Sequence, residues 1–118
     1  MTMPSGTSGF YFSIGGNLET ALFDTGSMVN VIDPPTADKI GIEKYPQTKP
    51  LDLDMSTRIP SYLVPISLPG VVSFVAPAYV YDLSPMNAMN IMSAPQFLDN
   101  GIPLFHIGYN KGQSNNIH

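Results

Sequence analysis

Proline and glycine punctuate this chain so densely that they decide what it can fold into. Twelve prolines and ten glycines cut the 118 residues into short apolar runs. Each proline fixes its own φ and removes a backbone donor, while glycine supplies turn conformations that other residues resist. Short apolar runs between such breakers predict an all-β domain with tight turns. Phe10, Phe12 and Ile14 alternate with Tyr11 and Ser13, which is the period of a strand. Gly15-Gly16-Asn17 tolerates positive φ and predicts a hairpin turn. The return strand covers residues 18–23. Its last part, Ala21-Leu22-Phe23, is apolar on both faces and belongs at the centre of the domain.

Further strands are expected at residues 51–54, 62–68 and 71–80, with Pro60, Pro65, Pro69 and Pro77 limiting their length or placing them at edges. Residues 33–41 read as a short helical turn, capped by Asp33, opened by Pro34 and ended by Gly41. A second helix starts at Ser93 near the C-terminus. Its capping-box spacing predicts that Gln96 reaches back to the start of its own helix. Asp99-Asn100-Gly101 would close it, and residues 102–109 form a last strand. The domain so defined runs from 9 to 109, between a flexible lead-in at 1–8 and a loose polar tail at 110–118. No internal repeat or linker divides it.

Composition narrows the function classes. With 43% hydrophobic and 12% charged residues the chain can build a core. A net charge of −4 argues against nucleic acid as a partner, which calls for a basic patch. No run of about 18 apolar residues exists to span a membrane. The absence of cysteine removes disulfides, thiolate metal sites and thiol nucleophiles. His106 and His118 have no metal-ligand spacing, so neither a metal nor a cofactor is expected.

Chemistry concentrates in Ala21-Leu22-Phe23-Asp24-Thr25-Gly26-Ser27. An acid set directly after a doubly apolar strand is costly to bury unless it is hydrogen-bonded or used. Gly26 lets the backbone turn sharply and leaves amide donors free to face the carboxylate. The plainer reading of Asp24 is an Asx-turn acid closing a hairpin. Similarly, Met86, Met89 and Met92 are core filling before they are a binding face, and Asp52 and Asp54 are a solvated strand face before they are a metal site.

The strand, Gly-Gly-Asn and strand hairpin, the run Phe23-Asp24-Thr25-Gly26-Ser27, and a downstream apolar strand feeding a short helix together resemble the retropepsins, the aspartic proteases of retroviruses and long-terminal-repeat retrotransposons. The resemblance covers roughly residues 9–108. Asn90-Ile91-Met92-Ser93 through Leu98-Asp99-Asn100-Gly101-Ile102 looks most like the copia-type retrotransposon proteases, since Ser93 stands where most retropepsins carry glycine. It implies an all-β, retropepsin-like closed barrel with one short helix near the C-terminus, assembled as a homodimer. It also implies that Asp24 is the catalytic carboxylate. Thr25 would brace the two active-site loops, Gly26 would contact the substrate backbone, and Ser27 would donate a hydrogen bond to the carboxylate.

Two carboxylates about 3 Å apart share one proton, so one acts as general base toward a water while the other polarises the scissile carbonyl. One chain supplies one such acid: Asp33, Asp38, Asp52, Asp54, Asp82 and Asp99 lack a following Thr-Gly or Ser-Gly. A second copy of the chain is therefore a required partner. The resemblance implies a flap over the substrate, for which residues 53–63 are the candidate, with Met55, Ser56, Thr57, Arg58 and Ile59 around its turn. Val29, Ile32 and Ile91 are candidate substrate-pocket residues. The implied substrate is an extended peptide within a Gag–Pol-like polyprotein, inside the cell or a particle. The other reading is a catalytically silent module of the same fold, kept for dimerisation or peptide binding.

Overall fold

The computed structural model of the chain describes residues 7–100. The expected last strand at 102–109, both histidines and the tail at 110–118 lie outside those residues, as does most of the lead-in. The first two strands, β1 (Thr7–Ile14) and β2 (Asn17–Asp24), form an antiparallel hairpin in continuous register from Thr7 opposite Asp24 to Ile14 opposite Asn17. β1 thus begins two residues before the expected domain boundary. Gly15 and Gly16 both sit at positive φ (58° and 88°), the conformation a two-residue hairpin loop needs to match strand twist.

β3 (Asn30–Ile32) leads into α1 (Pro34–Ile40), whose cap is the expected one. The Asp33 carboxylate accepts from the Thr36 amide at 3.1 Å, and Gly41, at φ 65°, donates to the Ala37 and Asp38 carbonyls. β4 (Gln47–Asp52) and β5 (Arg58–Leu68) form a second hairpin. β4 starts four residues before the expected strand at 51–54, and residues 53–54 belong to the turn. β6 (Val72–Val80) follows a tight turn at Pro69-Gly70, closed by the Val71 amide donating to the Leu68 carbonyl at 2.9 Å. β7 (Asn90–Ser93) then feeds α2 (Ala94–Asp99), the short helix expected near the C-terminus.

The strand order is β1-β2-β7-β3-β6-β5-β4, and β1 also pairs with β5 at Ser13–Ser67 and Ile14–Ile66. That pairing closes six strands into a barrel and leaves β4 outside as an edge. The prolines of β5 fall where this arrangement needs no donor. Pro60 lies opposite the β4 register shift between Thr48 and Leu51, and Pro65 lies between the β5 stretches paired with β4 and with β1. Phe97 of α2 plugs the barrel, with ring centroids 4.8–5.5 Å from Phe74, Phe12 and Phe23 in edge-on geometry. Among the described residues no helix is long and apolar enough to cross a membrane.

Candidate active site

Strand parity places the site. On β2, Ala21 and Phe23 join the main core, whereas Leu22 packs outward with Leu83, Ala88, Val31 and Ile91 into a second apolar cluster. Side chains alternate faces along a strand, so Asp24 shares its face with Leu22. β2 and β3 flank β7 on opposite sides, with Leu22 beside Ile91 and Ile91 beside Val31. Asp24 pairs with Ser93 at the far end of β7. The segment 25–29 therefore arches over that end, carrying Asp24 at the rim of an apolar floor.

The Asp24 side chain is half-buried, and its Oδ1 accepts the Gly26 amide at 2.8 Å. A Cβ built on Gly26 would stand 3.3 Å from that oxygen, so the turn has little room for a larger residue. Thr25 and Gly26 are exposed at the crest. Ser27 differs from the expectation: its hydroxyl donates to the Val29 carbonyl at 2.7 Å and accepts from the Val29 amide at 3.4 Å. A hydroxyl has one proton to give, and the nearby carbonyl takes it in place of the Asp24 carboxylate.

The candidate pocket residues separate by the same parity. Ile91 is partly exposed and packs with Val31 on the outer face, and Val29 is partly exposed in the loop before β3. Ile32 is fully buried in the main core, one residue out of phase, and has no surface to offer a ligand. Val31, not Ile32, faces the outer cluster.

The β4–β5 hairpin carries the candidate flap. Met55, Ser56 and Arg58 are exposed, and Thr57 is partly exposed. Ile59 is buried and belongs to the base of the hairpin. The turn forms without glycine because Asp54 organises it. Its Oδ1 accepts the Ser56 amide (2.8 Å), the Ser56 hydroxyl (3.0 Å) and the Thr57 amide (2.8 Å), and the Leu53 amide closes on the Thr57 carbonyl at 3.0 Å. The Ser56 amide, followed by its hydroxyl and the Thr57 donors, holds the Asp54 carboxyl below its ordinary range. Below the tip, Arg58 Nε meets Asp52 Oδ1 at 2.9 Å, with both side chains mostly in solvent. Such a pair adds little stability.

Sequence reasoning missed two buried amides, one at each end of β7. Asn30 and Asn90 are fully buried in strands. Asn30 Oδ1 accepts the Ser93 amide at 2.8 Å, and its Nδ2 donates to Gln96 Oε1 at 2.6 Å. Asn90 Oδ1 accepts the Asp33 amide at 3.1 Å, while its Nδ2 donates to the Thr20 carbonyl (2.9 Å) and Thr36 Oγ1 (3.2 Å). The available signal was an asparagine inside each of two apolar strands, a residue that stays buried only when fully bonded. Among the described residues no three His, Asp or Glu side chains converge to hold a metal ion.

No protein-family model matches the chain, and no curated protein matches it. Solved structures do. A retropepsin-like aspartic protease from Rickettsia conorii is 14% identical, covering 80% of this chain and 71% of that one, at a TM-score of 0.59. The retroviral protease-like domain of Ddi1 from Leishmania major is 15% identical, covering 80% and 77%, at 0.53. The EIAV protease complexed with an inhibitor is 14% identical, covering 93% and 96%, at 0.52. The fold is retropepsin-like.

Proposed function

We propose that the chain is one subunit of a homodimeric aspartic endopeptidase in which two Asp24 carboxylates share a proton. The observation that carries this reading is the position of Asp24: at the end of a buried strand, partly exposed over an apolar floor, with one oxygen held by the Gly26 amide. A retropepsin-like barrel supports it as the scaffold.

The steps follow from elementary chemistry. Two carboxylates brought within about 3 Å cannot both ionise, so the pair holds one proton. The ionised member takes a proton from a bound water, which attacks the scissile carbonyl. The protonated member polarises that carbonyl and stabilises the oxyanion. Val31 and Ile91, packed over buried Leu22, offer apolar surface to substrate side chains, and the β4–β5 hairpin serves as a lid excluding water. The substrate class is an extended peptide with apolar residues at the cut, within a polyprotein. The resemblance of Asn90-Ile91-Met92-Ser93 to the copia-type proteases supports an enzyme working inside a cell or particle.

The test is cleavage of apolar-flanked peptides at mildly acidic pH, with a statine-type inhibitor as control. Wild type should cut, the inhibitor should block it, and Asp24→Asn should abolish turnover while leaving fold and dimer intact. Full activity in Asp24→Asn would remove the assignment. A stable dimer that cuts nothing would assign the silent module instead.

A further inference from the structure

The side chain of Gln96 turns away from its own helix and reaches the loop that follows Asp24. Its Nε2 donates to the Met28 carbonyl at 3.0 Å and its Oε1 accepts from Asn30 Nδ2 at 2.6 Å. Both amides are oriented from outside. The Ser93 N–H can only donate, so Asn30 presents Oδ1 to it; the Met28 carbonyl can only accept, so Gln96 presents Nε2. Asn30 and Ser93 are fully buried, which makes the anchored end of this strut rigid. The Gly26–Asp24 and Ser27–Val29 bonds are internal to the loop and cannot fix its height on the barrel. Met28 itself is 71% exposed, so packing of its side chain does not hold the loop down either.

We propose that Gln96 is a positioning residue, whose amide sets the height of the 25–29 arch over β7 and so the place of the Asp24 carboxylate relative to its two-fold mate. The inference rests on the protease reading above. A displacement of about 1 Å in a catalytic group costs on the order of a hundredfold in rate. Gln96→Leu removes both bonds, so kcat should fall about tenfold or more, with KM moving less than about threefold.

Gln96→Glu is the discriminating variant. When protonated, its carbonyl oxygen accepts from Asn30 Nδ2 and its hydroxyl donates to the Met28 carbonyl, so both bonds survive. When ionised it has no proton to donate and sets a negative oxygen against that carbonyl. Its kcat relative to wild type should therefore be near one at the acid end and fall about tenfold as pH rises through the carboxylate range. Gln96→Leu should be depressed equally at every pH.

The experiment measures kcat and KM across pH for wild type, Gln96→Leu and Gln96→Glu, with amide hydrogen exchange at residues 25–29 recorded on the same samples. A pH-graded deficit in Gln96→Glu supports the strut. A wild type that cleaves beside two variants of unchanged kcat overturns it, as does a Gln96→Glu deficit that is flat in pH. Should wild type cleave nothing, the protease reading fails by itself and exchange decides: faster exchange confined to residues 25–29 in Gln96→Leu supports the strut, and unchanged exchange overturns it.

Discussion

Replacing Asn30 by alanine isolates what the buried amides contribute. Asn30 is fully buried and makes three side-chain bonds: from the Ser93 amide at 2.8 Å, to Gln96 Oε1 at 2.6 Å and to the Pro77 carbonyl at 3.4 Å. Alanine strands the Ser93 N–H at the start of α2 with no water in reach, and an orphaned buried donor costs about 1–3 kcal/mol. Gln96 is only half-buried, so its freed oxygen recovers solvent and adds about 0.5–1 kcal/mol. The bond to Pro77 is long and contributes least. Against these stands the relief of no longer burying an amide, and the net is about 2 kcal/mol of destabilisation. With a urea m-value of roughly 1–3 kcal/mol/M for a domain of this size, the unfolding midpoint should drop by about 0.7–2 M, with m unchanged. Urea titration followed by circular dichroism at fixed protein concentration measures this. A loss below about 0.5 kcal/mol would mean that the Asn30–Ser93 link does not hold β3 to β7.

Three other outcomes follow from the same geometry. Ser27→Ala should leave the pH profile of cleavage unchanged, because the hydroxyl serves Val29 rather than the carboxylate; a shifted optimum in rate-against-pH curves would contradict that. Ser61→Ala should be neutral or stabilise by up to about 1 kcal/mol, since the Ser61 hydroxyl is buried without a partner among the described residues; a clear fall in the thermal midpoint would show a bond to the hydroxyl. The Asp54 carboxyl is depressed on folding below its ordinary value of 3.8, so its support of the hairpin tip is complete above that value and disappears as pH falls through the lower folded one. Protection of the Ser56 and Thr57 amides, taken as exchange relative to the intrinsic rate at each pH, should therefore fall at the acid end in wild type and be low throughout in Asp54→Ala; a wild-type protection independent of pH would refute it.

Much of the architecture was legible because local chemistry dictated it. Gly15-Gly16 could only turn, Asp33-Pro34 and Gly41 could only bound a helix, and Asp24 stood out as an acid ending an apolar strand. β4 was misplaced because an edge strand outside the barrel exposes most of its residues, leaving Gln47–Pro50 without apolar alternation. Ile32 was assigned to the wrong face because parity across the arch depends on the residues taken up by the loop, which composition does not reveal. Ser27 and Gln96 each bond partners that local sequence spacing does not reveal. Ser27 took a carbonyl two residues on, and Gln96 took Asn30 and Met28 while Asn30 supplied the Ser93 amide with its acceptor.

Whether each active unit draws on two chains is decided by mixing subunits. Wild type and Asp24→Asn, unfolded together in equal amounts and refolded, should distribute at random, leaving about a quarter of the dimers with both acids. Cleavage per total protein should then follow the square of the wild-type fraction. A linear dependence, with half the activity kept at equal mixing, would show that a single Asp24 suffices.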